Sequence, residues 1–260
     1  MCLILLAYDQ HPRFRFIMAA NRDEFYARPT APAQFWDDYP YIFAGRDLKQ
    51  MGTWMGVTKN GCVAALTNYR ERPSADPRLK SRGELVSRYL IDQVPPLDYL
   101  HQIKGMDDQY QGYNLIIGDR SSLYYYSNRN KEIVPMKQGV HGLSNHLLNT
   151  PWPKVEKGKQ GLRQLLSAEH VDPERLFQLL ADSEPAKDDE LPDTGVGLGW
   201  ERTLSPLFIR SADYGTRSST VLLIDRQDHV CFVERTFKAG EDAYEEVSVE
   251  FDLSPSETEN

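Results

Sequence analysis

Short apolar runs that come in pairs, each pair joined by turn residues, restrict the fold of this chain more than any other feature. Cys2–Tyr8 is apolar and β-prone, Asp9-Gln10-His11-Pro12 carries turn chemistry, and Phe14–Ala20 alternates and runs apolar; together they predict a hairpin. A second hairpin is predicted where Gly52–Val57 and Cys62–Thr67 flank Thr58-Lys59-Asn60-Gly61, because Asn-Gly accepts the left-handed backbone of a tight turn. Asn114–Gly118 with Leu123–Ser127, Ile133–Met136 with Val140–Ser144, and Arg217–Asp225 with His229–Thr236 repeat the arrangement. Glu245–Leu253 alternates and reads as one more strand.

Helical periodicity falls between these pairs, not between single strands. Ser81-Arg82-Gly83-Glu84 is a capping-box pattern ahead of Leu85, Tyr89 and Leu90 on one face. Pro95–Ile103, Pro153–Leu166 and Pro173–Leu180 read as helices with proline at the start. Arg70–Arg82 reads as a charged loop, and Glu184–Glu201, acidic with glycine and proline, as a surface loop. There is no regular βαβ alternation, no GxGxxG and no GxxxxGK[ST]. A doubly wound nucleotide-binding fold is therefore excluded, and antiparallel sheets covered by helices are expected. Without repeats or a composition break, residues 1–253 read as one domain and residues 254–260 as an acidic tail.

Composition narrows the function. At 260 residues about 70–75% of the unfolded surface can be buried, so no staples are needed. The net charge of −8 repels phosphate backbones and argues against nucleic-acid partners. Cys2, Cys62 and Cys231, without a CxxC spacing, outline neither a disulfide framework nor a zinc site. The longest apolar stretches fall far short of the roughly 20 residues of a membrane span, and the N-terminus lacks the basic and apolar regions of a signal peptide. These readings make a cytoplasmic protein the expectation and leave the oligomeric state open.

Chemistry concentrates at strand ends. Cys2 alone reads as a small apolar start to a buried strand. Loss of Met1 would instead leave it with a thiol and an α-amine on one residue, and an amine of pKa about 7.7–8.0 suits a general base at neutral pH. The first hairpin is expected to stop in Asn21-Arg22-Asp23-Glu24, where Arg22 would face a thiolate or carboxylate and Asp23 would orient the amine. Asn68 and Asn145 are candidates for holding an oxyanion or anchoring the amine, and Arg217 for completing a cationic wall. Each also has a plain reading, the asparagines as turn residues and the arginines as surface charges.

Asn21-Arg22-Asp23-Glu24-Phe25-Tyr26, Gly45-Arg46-Asp47, Gly52-Thr53-Trp54-Met55-Gly56, Leu66-Thr67-Asn68-Tyr69-Arg70, Gly142-Leu143-Ser144-Asn145 and Thr216-Arg217-Ser218-Ser219-Thr220 occur in this order. On these motifs the chain resembles the NRDE family, also called the transport and Golgi organisation protein 2 family, over most of its length. The resemblance implies an α+β fold, the four-layer αββα sandwich of antiparallel sheets of the N-terminal-nucleophile hydrolases. The pattern is also similar to the cysteine members of that fold: choloylglycine hydrolases, penicillin V acylases and acyl-CoA:penicillin-type acyltransferases. Their nucleophile matches Cys2, their arginine and aspartate match Arg22 and Asp23 (adjacent here), their asparagines match Asn68 and, loosely, Asn145, and their late arginine matches Arg217.

Two functional expectations follow. One is a cysteine amidase, thioesterase or acyltransferase that acts on a small acyl substrate through Cys2 and requires no cofactor. The other comes from the resemblance, since members of the family have been linked to haem trafficking and to lipid or acyl-CoA homeostasis. It is a carrier on the same fold, with haem or an acyl lipid as transported ligand. Asn21, Trp54, Tyr69, His141 and His146 are the residues expected to meet a ligand.

Overall fold

The structure is a computed structural model and describes residues 2–72, 74, 76–168, 170–240 and 243–254. Met1 and residues 255–260, where most of the expected tail falls, lie outside the described residues. The chain opens with β1 (Cys2–Tyr8), β2 (Phe14–Phe25), β3 (Thr30–Phe35), β4 (Ile42–Asp47), β5 (Met55–Thr58) and β6 (Val63–Asn68). Helices α1 (Gly83–Asp92) and α2 (Pro96–Lys104) follow, then β7 (Tyr113–Gly118), β8 (Leu123–Ser127), β9 (Ile133–Pro135) and β10 (Gly139–Leu143). The last third holds α3 (Pro153–Leu166), α4 (Pro173–Leu180), α5 (Leu198–Thr203), β11 (Tyr214–Asp225), β12 (His229–Phe237) and β13 (Tyr244–Asp252).

The strands form two antiparallel sheets. One has the order β10-β1-β2-β11-β12-β13, the other β3-β4-β5-β6-β7-β8-β9. Two-residue alternation gives each sheet two apolar faces. Ile4, Leu6, Phe16, Met18 and Leu222 meet Phe43, Val57, Val63 and Ile116 between the sheets. Leu3, Leu5, Ile17 and Ala19 turn the other way onto α3 and α4, through Val155, Leu162, Leu176 and Phe177. Leu66, Leu115 and Ile117 face α1 and α2 through Leu85, Tyr89, Leu90 and Tyr99. The result is a helix–sheet–sheet–helix sandwich with three apolar layers. Among the described residues, no helix is long and apolar enough to cross a membrane.

Four readings of the sequence need correction. The first hairpin does not stop at Ala20: β2 runs on to Phe25, because β11 pairs with it from Phe14 to Phe25 and satisfies the backbone of the polar stretch. Ile133–Met136 and Val140–Ser144 are not a pair, since β9 joins β8 in one sheet and β10 joins β1 in the other. Adjacency in sequence cannot reveal which sheet a short strand enters. The capping box does not form, for Arg82 occupies the cap position of α1 in helical conformation and no side chain caps the helix. Residues 184–201 are not all loop, because α5 begins at Leu198 and buries Glu201.

The β4–β5 connection touches the start of α1 backbone to backbone at Gly52, where an added Cβ would lie 2.7 Å from the Gly83 carbonyl carbon. Gly52→Ala should therefore force the two segments apart and lower stability by about 1–3 kcal/mol. Gly199→Ala, in α5 with nothing within 4 Å of its Cβ, should be neutral or stabilising by up to about 1 kcal/mol. Denaturant midpoints of the two variants check both, and an unchanged midpoint for Gly52→Ala would contradict the contact.

Candidate active site

The site is built where β1, β2 and β6 end together. Cys2 starts β1 and lies opposite Arg22 in the β1–β2 ladder. Period-two alternation then divides the four polar residues of β2. Arg22 and Glu24 belong to the face that carries Cys2, and Asn21 and Asp23 to the face that meets the helices. An open groove of about 800 Å³ lies at this end, lined by Cys2, Arg22, Glu24, Trp54, Asn68 and Arg82, with Lys49 and Lys80 also on its wall. The Arg22 guanidinium lies 4.2 Å from the Trp54 ring centroid.

Burial pushes the Cys2 thiol up and the Asp23 charge adds to the rise, while the Asp23 backbone N–H and the Arg22 charge oppose it. The resting thiol is therefore protonated at neutral pH and needs a base. Asn68, half-buried at the end of β6, has no intramolecular side-chain hydrogen bond among the described residues and lines the groove with Cys2. Asn145 has a different task. Its Nδ2 donates to the Asn68 carbonyl at 2.9 Å, and its carbonyl accepts from the Arg70 N–H at 2.6 Å. Ser144 Oγ donates to the Cys2 carbonyl at 3.2 Å, and Thr67 Oγ1 donates to the Ser144 carbonyl at 2.6 Å. Asn145 and Ser144 thus tie the ends of both sheets together and fix where Asn68 stands relative to Cys2.

Behind Cys2 lies a set of buried charges. Asp23 Oδ1 accepts from Thr216 Oγ1 at 2.7 Å, and the Asp23 carbonyl accepts from Tyr214 Oη at 3.0 Å. Burial raises the Asp23 carboxyl, and the charge of Lys154 opposes that rise. Lys154, 3% exposed in the first turn of α3, donates to the Leu204 carbonyl at 2.9 Å. Burial pushes its ammonium down to about 8, with Asp23, Cys2 and Glu201 pulling it back up. Arg70 pairs with Glu201 at 2.5 Å and lies 4.5 Å from the Trp152 ring centroid.

Several expected residues lie elsewhere. Asn21 is fully engaged on the helix face: Nδ2 donates to the carbonyls of Leu180 and Leu207 at 2.9 and 2.8 Å, and Oδ1 accepts from Ser219 Oγ at 2.6 Å. Arg217 falls at a register shift, where Thr216 pairs with Asp23 and Ser218 with Arg22. Its Nη1 donates to the carbonyls of Phe25, Tyr26 and Arg28 at 3.0–3.1 Å, so it fastens the turn after β2 instead of walling the groove. Tyr69 stacks on His146 with centroids 5.0 Å apart, and His146 Nδ1 contacts Thr150 Oγ1 at 2.9 Å. His141 is held by the Lys137 carbonyl and Asn149. Tyr69, His141 and His146 are not on the groove wall. Of the expected ligand-binding residues, Trp54 is.

Arg70, Arg82, Lys154 and Glu201 were not expected. Lys154 had a signal, since it shares the buried stripe of α3 with Gly158 and Leu162 at four-residue spacing. A lysine on an apolar stripe needs a buried partner or a function. Arg70, Arg82 and Glu201 sit in segments without periodicity, where sequence offered none. No group of three or more His, Cys, Asp or Glu that could hold a metal ion occurs among the described residues.

Comparison with known proteins places this geometry. The model of the family described as Transport and Golgi organisation 2 matches residues 1–239. The mouse Transport and Golgi organization 2 homolog is 36% identical over 257 residues, covering 91% of this chain and 93% of that protein. The human homolog gives the same identity and coverage, and the Drosophila melanogaster protein is 28% identical over 262 residues, covering 91% of this chain and 92% of that protein. Among solved structures, the C2A mutant of a conjugated bile acid hydrolase from Clostridium perfringens superposes with a TM-score of 0.51 at 8% identity, covering 99% of this chain and 100% of that one. That likeness establishes the N-terminal-nucleophile hydrolase fold.

Glu234 lies on the inter-sheet side of the site. It is 1% exposed; Oε1 accepts from the Ala33 N–H at 2.7 Å and Oε2 from Thr220 Oγ1 at 3.4 Å. Burial pushes its carboxyl up to about 7, against about 4.3 in an unfolded chain. The unfolded state therefore releases this proton first. The group costs stability increasingly as pH rises from about 4.3 to 7, and its cost is constant above that. Glu234→Gln, which keeps an acceptor for Ala33, should stabilise the protein on the order of 3–4 kcal/mol at pH 8 and by less than about 1 kcal/mol at pH 4.5. Denaturant titrations at the two pH values test this, and an equal effect at both would refute it.

Proposed function

The chain belongs to the Transport and Golgi organisation 2 family, and we propose that this member is an N-terminal-nucleophile cysteine hydrolase or acyltransferase that acts on an amide or thioester through Cys2 once Met1 is removed. The observation that supports it most is the meeting of Cys2, Arg22 and the unengaged Asn68 amide on one groove wall. A purely structural cysteine would have no reason to stand beside a buried guanidinium and an uncommitted amide.

In the proposed reaction the freed α-amine of Cys2 takes the thiol proton. The sulfur attacks the acyl carbon, and the carbonyl electron pair moves to oxygen, where Asn68 Nδ2 donates a hydrogen bond. Collapse of the tetrahedral adduct breaks the bond to the leaving group, which receives the proton held by the amine. Water, or an acceptor in the transferase case, then attacks the thioester and regenerates the thiol. Arg22 stabilises the thiolate and Asp23 orients the ammonium. Arg70, Glu201, Lys154 and Asn145 hold these groups in place.

Intact-mass measurement with N-terminal fragmentation, paired with a screen of acyl amides and thioesters, tests the proposal. Processed protein should turn over a substrate. Cys2→Ala should lower the rate by at least a thousandfold while retaining the wild-type unfolding midpoint, and protein that retains Met1 should be inactive. The rate should fall on acidification below about pH 7.5, as the α-amine becomes protonated. An unchanged rate in Cys2→Ala, or full activity with Met1 in place, would sink the mechanism.

A further inference from the structure

We infer that the Cys2 groove takes an acyl compound carrying a fixed negative charge, a carboxylate or a phosphate close to the scissile bond; this rests on the hydrolase reading for its chemistry but not for its binding. The evidence is an imbalance of charge. The protein as a whole carries −8. Yet Arg22, Lys49, Lys80 and Arg82, all on the groove wall, have no carboxylate ion-pair partner among the described residues. Arg28, the remaining cation there, is neutralised by Asp47 at 2.6 Å.

The carboxylates of the wall offset them only in part. Asp47 is committed to Arg28, Asp76 to Arg78 at 2.7 Å, and Glu84 lies 3.7 Å from Arg88. Asp23 accepts from Thr216 on the helix side. Glu24 remains; its Oε1 accepts from the Phe25 N–H, and its charge favours the cationic forms of Arg22 and Arg82, so it offsets one of the four cations. An excess of cations in a recess of an anionic protein focuses the field on an entering anion.

Depth sorts the cations by role. Arg22 is 7% exposed and stacked on Trp54; its Nη1 donates to Thr30 Oγ1 at 3.4 Å, which leaves its remaining edge N–H groups for a planar or tetrahedral anion. Arg82 is half-buried and spends Nη1 on the Gly112 carbonyl at 3.0 Å. It stands at the start of α1, whose backbone dipole adds to its charge. Lys49 and Lys80 are exposed on the same wall. Two guanidiniums sit within the recess and two ammoniums towards solvent, which suits a charge held near the nucleophile and drawn in from outside. The wall is mostly polar, with Trp54, Leu66 and Leu79 as its large apolar side chains, so a bare hydrocarbon or a neutral macrocycle would leave most of these groups unpaired.

The test uses hexanoyl thioesters of mercaptoethanol, mercaptopropionate and mercaptoethyl phosphate, which differ in a neutral, carboxylate or phosphate leaving group. The succinyl thioester of mercaptoethanol moves the charge to the acyl side. At least one charged probe should exceed the neutral one in kcat/KM by tenfold or more, and raising salt from about 0.05 to 0.5 M should shrink that ratio. Arg82→Ala should reduce the ratio at least fivefold, Arg82→Lys should restore part of it, and the exposed Arg163→Ala should leave it unchanged. A separate arm measures binding of succinate and of inorganic phosphate to the Cys2→Ala protein by tryptophan fluorescence and calorimetry, with Arg82→Ala as comparison. Anion binding that depends on Arg82, without turnover of any thioester, would keep this inference and overturn the hydrolase reading. Turnover with no preference for charge, and no anion binding, would overturn this inference and keep the hydrolase reading.

Discussion

The register of β2 between β1 and β11 decides what this end of the molecule can do. Cys2 stands opposite Arg22, and Arg22 opposite Ser218, so the thiol and the guanidinium share one face of the sheet. Asn21 and Asp23 are turned to the other face by the same alternation, one to tie down the chain near α4 and the other to meet Thr216 and Lys154. A slip of one residue would exchange these roles and bury Asn21 beside Cys2. The extra residue in β11 acts within this scheme. At Arg217 the register shifts by one, as at a β-bulge, and the side chain goes to the turn after β2. The bulge removes one cation from the groove and uses it to fix the strand end that carries Glu24.

Stability and site geometry are coupled through the buried charges. Arg70 and Glu201 are each 3% exposed at the side chain and paired at 2.5 Å. Removing one partner of such a pair strands the other and costs about 3–5 kcal/mol, whereas replacing both by apolar groups is often neutral. The pair joins the segment after β6 to α5, two pieces without an extensive apolar face of their own. Lys154 joins α3 to the Leu204 carbonyl beside them. Specific charges thus fasten the parts of the site that the three apolar layers do not reach. Glu234 beneath Arg22 and Lys154 behind Asp23 both carry a burial cost, and both lie within the shell of the groove instead of in the apolar layers.

Much of the fold was legible in sequence because its strands and helices are periodic. The spans Cys2–Tyr8, Leu123–Ser127, Pro153–Leu166 and Pro173–Leu180 are those of the structure. The reading failed where periodicity is absent or where the chain chooses between two sheets. β3 and β4 carry a proline, a glycine and charges and drew no prediction, and β9 and β10 were separated by topology that local pattern cannot encode. Of the residues singled out at strand ends, Cys2, Arg22, Asp23 and Asn68 are brought to one groove wall. Asn145 was identified too, but for a different task from the positioning that its hydrogen bonds perform. Arg217 was misplaced because a bulge leaves no mark in the sequence, and Arg82 was missed because a charged loop residue looks the same whether it faces solvent or a recess.

Fold and substrate are separate questions here. Superposition on a bile acid hydrolase at 8% identity fixes the scaffold and not the substrate, because one scaffold supports different walls. In this chain the wall is set by the segment from Asp47 to Thr53 and by the loop leading into α1, which bring Lys49, Lys80 and Arg82 round Arg22. Backbone contact between Gly52 and Gly83 holds those two segments together. Lys49, Lys80 and Arg82 are therefore placed by the seven-stranded sheet and its helices, while Cys2 and Arg22 are placed by the six-stranded sheet. The groove thus draws on both halves of the sandwich, which the Asn145 hydrogen bond to Asn68 joins.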